Sequence, residues 1–394
     1  MRFKALDALR GIAALQVVIA HSLGVGQNWI DMNDPWVRFT PIRLVMEAHP
    51  AVVFFFVLSG FVLTLSITKE HDLSYGRFVI RRILRIYVPF FASICIAVLL
   101  CVAISPSYVA GTSELFAGNW VDYSPSVVMR HLLMTGARDD IQLNGVMWSL
   151  VHEMRISLIL PFLVALFAFS LWSGAIAVTF LSIAAWISLA SLGQSQFWVP
   201  NTPLNSVLLT IFYIFPFGVG IALALRREQL ITFARQRPIL IAASLPISIV
   251  IMQRLRISTT GLSDLPISIL AGVLIILVLS SPRIQEQLMT PALQWLGRIS
   301  YSLYLIHLPV LLAMVQTLSE VLALPVIVAL AFPIILLAAH ILNRMVEQPA
   351  ARLSSTLTIK ATPRSCNQGA IDDLAPIGPH PRQRRRPATE EDAS

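Results

Sequence analysis

Residues 6–22 read LDALRGIAALQVVIAHS, and the reading of this stretch decides the fold. It is apolar over nearly the ~20 residues that one helix needs to cross a bilayer core. Yet it holds Asp7, Arg10 and His21. At ~100° and ~1.5 Å per residue, Arg10 and His21 fall within ~20° of one face and ~16 Å apart along the axis. Asp7 lies one turn before Arg10 and can pair with it. Ionisable groups within a span cost several kcal/mol, so they are functional candidates. Two plainer roles compete: Arg10 as an anchor whose head reaches the interface, and His21 as a packed histidine bonding a neighbouring helix. Arg10 also breaks the apolar run a signal peptide requires, so the stretch reads as a retained first span.

The rest of the chain supports a membrane protein. Of 394 residues, 56% are apolar and 13% charged, and the mean hydropathy is +0.74. Soluble domains carry roughly 25% charged residues. A chain with half that cannot cover its surface with charge, which excludes a soluble enzyme, a disordered protein and a disulfide scaffold. The net charge of +8 reads first as topology. Cys95 and Cys101 lie in an apolar run and Cys366 near the end; their spacing fits packing thiols, not a metal site or a disulfide framework. No phosphate-binding glycine loop and no internal repeat is visible. Neither a metal nor a nucleic-acid partner is expected.

Ten stretches qualify as spans, near 6–26, 47–68, 86–105, 146–169, 174–193, 205–225, 238–253, 265–281, 300–319 and 323–343. The seventh and eighth are short and hold Pro246 and Pro266. Residues 128–143 are too polar to span and read as an amphipathic or re-entrant segment. With the N-terminus inside, the inner loops take thirteen lysines and arginines and the outer loops six. The positive-inside rule then puts both termini in the cytoplasm. Residues 1–352 read as one transmembrane domain. Residues 353–394, rich in proline and arginine, read as a disordered cytoplasmic tail, with Arg384–Arg386 able to meet anionic lipid.

Two further groups of polar residues stand in or beside spans. In residues 144–161 Glu153 is flanked by His152 and followed by Arg155, and shares a face with Ser157. Counted from opposite ends of their spans, Glu153 and His21 reach similar depth. A carboxylate beside an imidazole orients it and raises its basicity, as a general base requires. Compensation of Glu153 by His152 or Arg155 is the structural alternative. Arg77, Arg81, Arg82 and Arg85 cluster at the level of Arg10; they can bind phosphates bidentately or simply enforce topology. Ser59-Gly60 permits close helix approach. Ser300, Tyr304 and His307 share a stripe that lines a cavity or bonds a neighbouring helix. His49, His71, His131 and His340 read as structural or solvated.

RGIAALQVVIAHS, FFFVLSGF, RRILRIYVP, WSLVHE and ISYSLYLIHLPV resemble, in this order, the signatures of the membrane-bound acyltransferase 3 family. The resemblance covers about 1–352. It rests on Arg10 and His21; Phe55, Phe56, Ser59, Gly60 and Phe61; Arg82 and Arg85; and Trp148, Ser149, Leu150 and Glu153. The aromatic pair that often follows the family's glutamate is Ile156-Ser157 in this chain, and no esterase-like domain follows. The chain resembles the stand-alone members.

The resemblance implies an all-α polytopic protein of the bacterial inner membrane. It implies transfer of an acyl group, usually acetyl, from cytoplasmic acyl-CoA to a hydroxyl of a saccharide or related acceptor. Acyl-CoA is a co-substrate and no cofactor is permanently bound. On this reading His21 is the general base, oriented by Glu153. Arg10, Arg82 and Arg85 hold the CoA end. Ser59, Trp148 and Ser149 are candidates to stabilise the oxyanion, and Tyr304 and His307 line the cavity. Acylation of His21 or a serine is the covalent variant. A proton-coupled transporter is the alternative, which inverted repeats would favour. A metal-dependent glycosyltransferase using Asp31 and Asp34 is the third reading.

Overall fold

A computed structural model describes residues 3–27, 29, 34–38, 46–69, 74–194, 200–239, 243–244 and 261–359. The chain is all-α, and no strand occurs among the described residues. Among the described residues nine apolar helices occur: α1 (Lys4–Leu23), α2 (His49–Lys69), α3 (Tyr75–Ile104), α4 (Trp148–Phe169), α5 (Leu171–Ser191), α6 (Pro203–Leu225), α7 (Asp264–Ser280), α8 (Pro291–Leu318) and α9 (Leu324–Leu342). Eight of them are long and apolar enough to cross a membrane, and α7 falls just short. The expected span near 238–253 lies almost wholly outside the described residues, as do Asp31, His71, Cys366 and Arg384–Arg386.

Lipid-facing surface is written on α5. Trp172, Ile176, Phe180 and Ile187 recur at helical spacing and are all exposed. A soluble protein does not leave such a stripe in water. Most tail residues lie outside the described ones, but the start of the tail is helical. Residues 348–359 form a helix against α3, and a π-turn, Asn343–Glu347, joins it to α9. The AARLSST stretch has ordinary helix propensity and a packing partner, which composition alone does not reveal.

Two glycine crossings set the packing. A Cβ on Gly11 would lie 2.6 Å from the backbone nitrogen of Gly297, so only glycine lets α1 lie directly on α8. Gly60 and Gly220 let α2 and α6 approach in the same way. Below, "base" is the end of the bundle where α1 starts and "top" the end where it finishes.

The polar segment 105–147 covers the top. Its helix Pro125–Leu132 is short and amphipathic, in line with the sequence reading of 128–143. Arg130 Nε meets Asp140 at 2.6 Å, and the Thr135 hydroxyl donates to the same carboxylate. His131, a loop histidine in the sequence reading, is buried beside Phe90, and burial holds its pKa down to about 3. Arg155 ties this segment to the bundle, donating to the Met134 and Thr135 carbonyls and to the Ser206 and Thr210 hydroxyls.

Candidate active site

The α1–α8 crossing explains the central pair. Both helices run from base to top. Gln294 near the start of α8 donates to the Lys4 carbonyl, and Gly297 touches Gly11. Ten residues past that contact, ~15 Å further up each helix, stand His21 and His307. Their ring nitrogens Nδ1 and Nε2 are 2.9 Å apart. The rings are within 7° of parallel with centroids 5.2 Å apart, the geometry of two imidazoles joined edge to edge.

A backbone carbonyl fixes the proton positions in this pair. His307 Nδ1 lies 3.1 Å from the Leu303 oxygen, which can only accept. In neutral His307, Nδ1 therefore carries the hydrogen and Nε2 is an acceptor. His21 Nδ1–H donates to it. His21 Nε2 is left with its lone pair, and it has no partner among the described residues. His307 is fully buried and His21 half-buried. A fixed imidazole with a bare Nε2 is the arrangement a general base needs.

Glu153 does not reach this pair. It accepts from Ser59 Oγ at 3.2 Å and faces Arg82 Nη2 at 3.4 Å. His21 stands two residues from the end of α1, whereas Glu153 sits five residues into α4, so equal depth was an artefact of rough span ends. The Glu153 side chain is engaged by Ser59 of α2 and Arg82 of α3. The expected compensation by its sequence neighbours is absent too. His152 bonds Thr210 at 2.8 Å, and Arg155 is engaged above.

Lower down, the expected arginine mouth is assembled. Arg10 lies 3.6 Å from Asp7 and within electrostatic range of Arg85, Glu153 and Glu347. Arg82 is buried on α3, and its Nε has no partner among the described residues. Tyr301 lies among the charges of Arg82, Arg85, Glu153 and Glu347, and its hydroxyl donates to the Ile86 carbonyl. Glu347 falls near the end of the stretch 1–352, and the sequence reading gives it no role. It accepts from Ser302 Oγ and Asn343 Nδ2, both at 2.7 Å, from within the π-turn. Such turns recur at functional sites.

Of the three candidates for oxyanion stabilisation, two hydroxyls are already committed. Tyr304 donates to the Val146 carbonyl at 2.9 Å, so the Ser149 hydroxyl, 2.6 Å away, donates to Tyr304. Ser59 donates to Glu153. Trp148 is half-buried, and no hydrogen bond from its indole N–H occurs among the described residues. Its ring is held by stacking on His49, centroids 5.8 Å apart and planes within 13°. His49 is held in turn by both oxygens of Asp264, at 2.8 and 2.9 Å. That dyad was not read from the sequence, because its partners are 215 residues apart. No cluster of three metal-ligating side chains occurs among the described residues.

A seam of polar groups thus runs up the bundle, from the arginines at its lower end through Glu153 and Ser59 to the two histidines below the top. Comparison with known sequences bears on this seam. A family model described as an acyltransferase domain, acyltransferase 3, matches residues 3–344. The chain is similar to Nodulation protein 10 of Rhizobium leguminosarum bv. viciae, 27% identical over 223 residues. That match takes in 54% of this chain and 58% of the relative's length. No solved structure matches.

Proposed function

The chain belongs to the acyltransferase 3 family, and from that premise we propose that it moves an acetyl group from cytoplasmic acyl-CoA to the hydroxyl of a saccharide or related acceptor. His21 is the general base. The observation that carries this is the His21–His307 pair, whose hydrogen-bond chain leaves Nε2 of His21 bare. The protein sits in the bacterial inner membrane with the base of the bundle toward the cytoplasm.

Arg10, Arg82 and Arg85 bind the phosphates of CoA at the base, where guanidinium pairs suit phosphate oxygens. Glu153 and Glu347 keep this buried group of cations from repelling one another when the site is empty. The extended pantetheine arm spans the ~16 Å between Arg10 and His21 and brings the thioester to the histidines.

In the transfer step the Nε2 lone pair of His21 takes the proton of the acceptor hydroxyl. The oxygen forms a bond to the thioester carbonyl carbon. The tetrahedral oxyanion is met by the indole N–H of Trp148. The C–S bond then breaks, and the CoA thiolate takes the proton back from His21 Nε2. His307 holds His21 in the required tautomer, the place that the sequence reading gave to Glu153. Glu153 belongs instead to the donor-binding end.

The test is release of free thiol from labelled acetyl-CoA by the protein in nanodiscs. Wild type should bind acetyl-CoA saturably and hydrolyse it slowly without an acceptor. Arg82→Ala should lose binding, and His21→Ala should bind but not turn over. Saturable binding that survives Arg82→Ala, or turnover that survives His21→Ala, contradicts the assignment.

A further inference from the structure

The acceptor end of the reaction has no residues assigned to it, and the top of the bundle holds a cavity suited to the task. It has a volume of about 330 Å³ and is lined by ten residues drawn from 106–121 together with Gln316. Pockets for small ligands begin at about this size. We propose that this cavity is the acceptor subsite and that its ligand is a neutral saccharide; the inference rests on the acyl-transfer reading above.

The chemistry of the lining selects the ligand class. Every lining residue is uncharged. Its polar residues are Ser107, Thr112, Asn119 and Gln316, whose oxygens and amide groups keep a further lone pair or hydrogen beyond their bonds within the protein, and its exposed ring is Tyr108, with Trp120 buried behind. Amides and hydroxyls satisfy sugar hydroxyls, and aromatic faces pack on the C–H face of a pyranose. A lining without cations offers a phosphate or carboxylate no charge-assisted bond, which favours a neutral ligand over CoA or an anionic acceptor at this place.

The cavity is also built as a rigid site. Gln316 holds the Ser107 backbone at both ends, accepting from its N–H at 3.0 Å and donating to its carbonyl at 2.8 Å. Trp120 adopts φ +61°, a left-handed conformation that costs a bulky residue energy. It is held there by its backbone N–H on the Gln142 carbonyl and its indole N–H on the Leu143 carbonyl. Tyr108, by contrast, is 78% exposed at the rim, where a ring can close over a bound sugar.

Position ties the cavity to the histidines. Gly26 bridges Thr112 in antiparallel fashion, and Ser113 Oγ donates to the Gly24 carbonyl at 2.6 Å. Gly24 caps α1 three residues after His21, about one helical turn. On the other side, Gly145 N–H donates to Asn119 Oδ1 at 3.3 Å. A Cβ on Gly145 would touch both Asn119 and Leu308, the residue after His307. The cavity therefore lies against the end of one histidine helix and beside the turn that carries the other.

The test uses protein in nanodiscs and a panel of neutral methyl glycosides (glucoside, galactoside, N-acetylglucosaminide), with methyl glucuronide as the anionic control. Two readouts are taken: saturation transfer from the protein to ring protons of each glycoside, and acetyl transfer from labelled acetyl-CoA. In wild type at least one neutral glycoside should show saturation transfer and accept acetyl, and the glucuronide neither. Tyr108→Ala, at an exposed position, and Asn119→Ala should weaken saturation transfer. They should raise the KM for the glycoside about tenfold, the effect of losing ~1.4 kcal/mol, with the KM for acetyl-CoA within about twofold. An unchanged glycoside KM in both variants, no binding of any neutral glycoside, or a preference for the glucuronide overturns the proposal. Glycoside binding that depends on Tyr108 in a protein that never consumes acetyl-CoA supports the cavity and overturns the acyl-transfer reading instead.

Discussion

The chemistry proposed for this protein depends on where single hydrogens lie. One backbone carbonyl, Leu303, sets the tautomer of His307, and His307 sets that of His21. Neither step needs a charged partner, which suits a site deep in a helical bundle. The same accounting points to Trp148, because the hydroxyls of Ser149 and Ser59 already spend their hydrogens within the protein. Trp148→Phe leaves an aromatic ring to stack on His49 and removes the indole N–H. It should lower kcat by ~10²–10³, the usual effect of losing one oxyanion donor, while the KM for acetyl-CoA stays in place; unaltered kcat in steady-state thiol release would remove Trp148 from the mechanism.

At the scale of helices, the register of α1 on α8 makes the site. Gly11 and Gly297 meet in backbone contact, and the histidines meet ten residues further along both helices. Gly11→Val puts a side chain 2.6 Å from the Gly297 nitrogen. The helices must part, at a cost of ~1–3 kcal/mol, and the histidines with them. Thermal unfolding in detergent should shift to lower temperature, and turnover should fall far more than Arg82-dependent acetyl-CoA binding. Retained turnover would show that the pair tolerates loss of that register.

This scale also explains what was legible in the sequence. Each span carried its own signal, so the apolar helices and the arginine mouth could be read from hydropathy and spacing. Arg10, Arg82, Arg85 and Glu153 come together as a group because they occupy facing stripes. Which stripe faces which is set by glycine crossings between residues as far apart as Gly11 and Gly297, and no local pattern records that. Hence Glu153 was set beside His21, while His21 and His307 were each read as able to bond a neighbouring helix without either being matched to the other. Glu347 and the His49–Asp264 pair were lost for related reasons, the first because its partners lie 45 and 4 residues back and meet only in the π-turn, the second because it joins the starts of two helices 215 residues apart.

For the whole molecule, the polar seam has direction, with cations at the base and an uncharged cavity at the top. A donor carrying phosphates and an acceptor carrying hydroxyls would enter from opposite sides of the membrane. In a variant whose three cysteines are replaced, Tyr108→Cys should react with an impermeant maleimide only from outside intact cells, and Arg235→Cys, on the helix Arg227–Gln236 that follows α6, only after the membrane is opened. The reverse pattern would invert the topology and place the arginine mouth away from cytoplasmic CoA.

The most direct test of the account is a double-mutant cycle on the central pair, read as thiol release from acetyl-CoA in nanodiscs by wild type, His21→Ala, His307→Ala and the double variant. If His307 acts by holding His21, its removal lowers turnover in the wild type and changes nothing once His21 is gone, so the double variant equals His21→Ala. Losses that add, or full turnover in His307→Ala, would contradict the claim that this pair is the catalytic base.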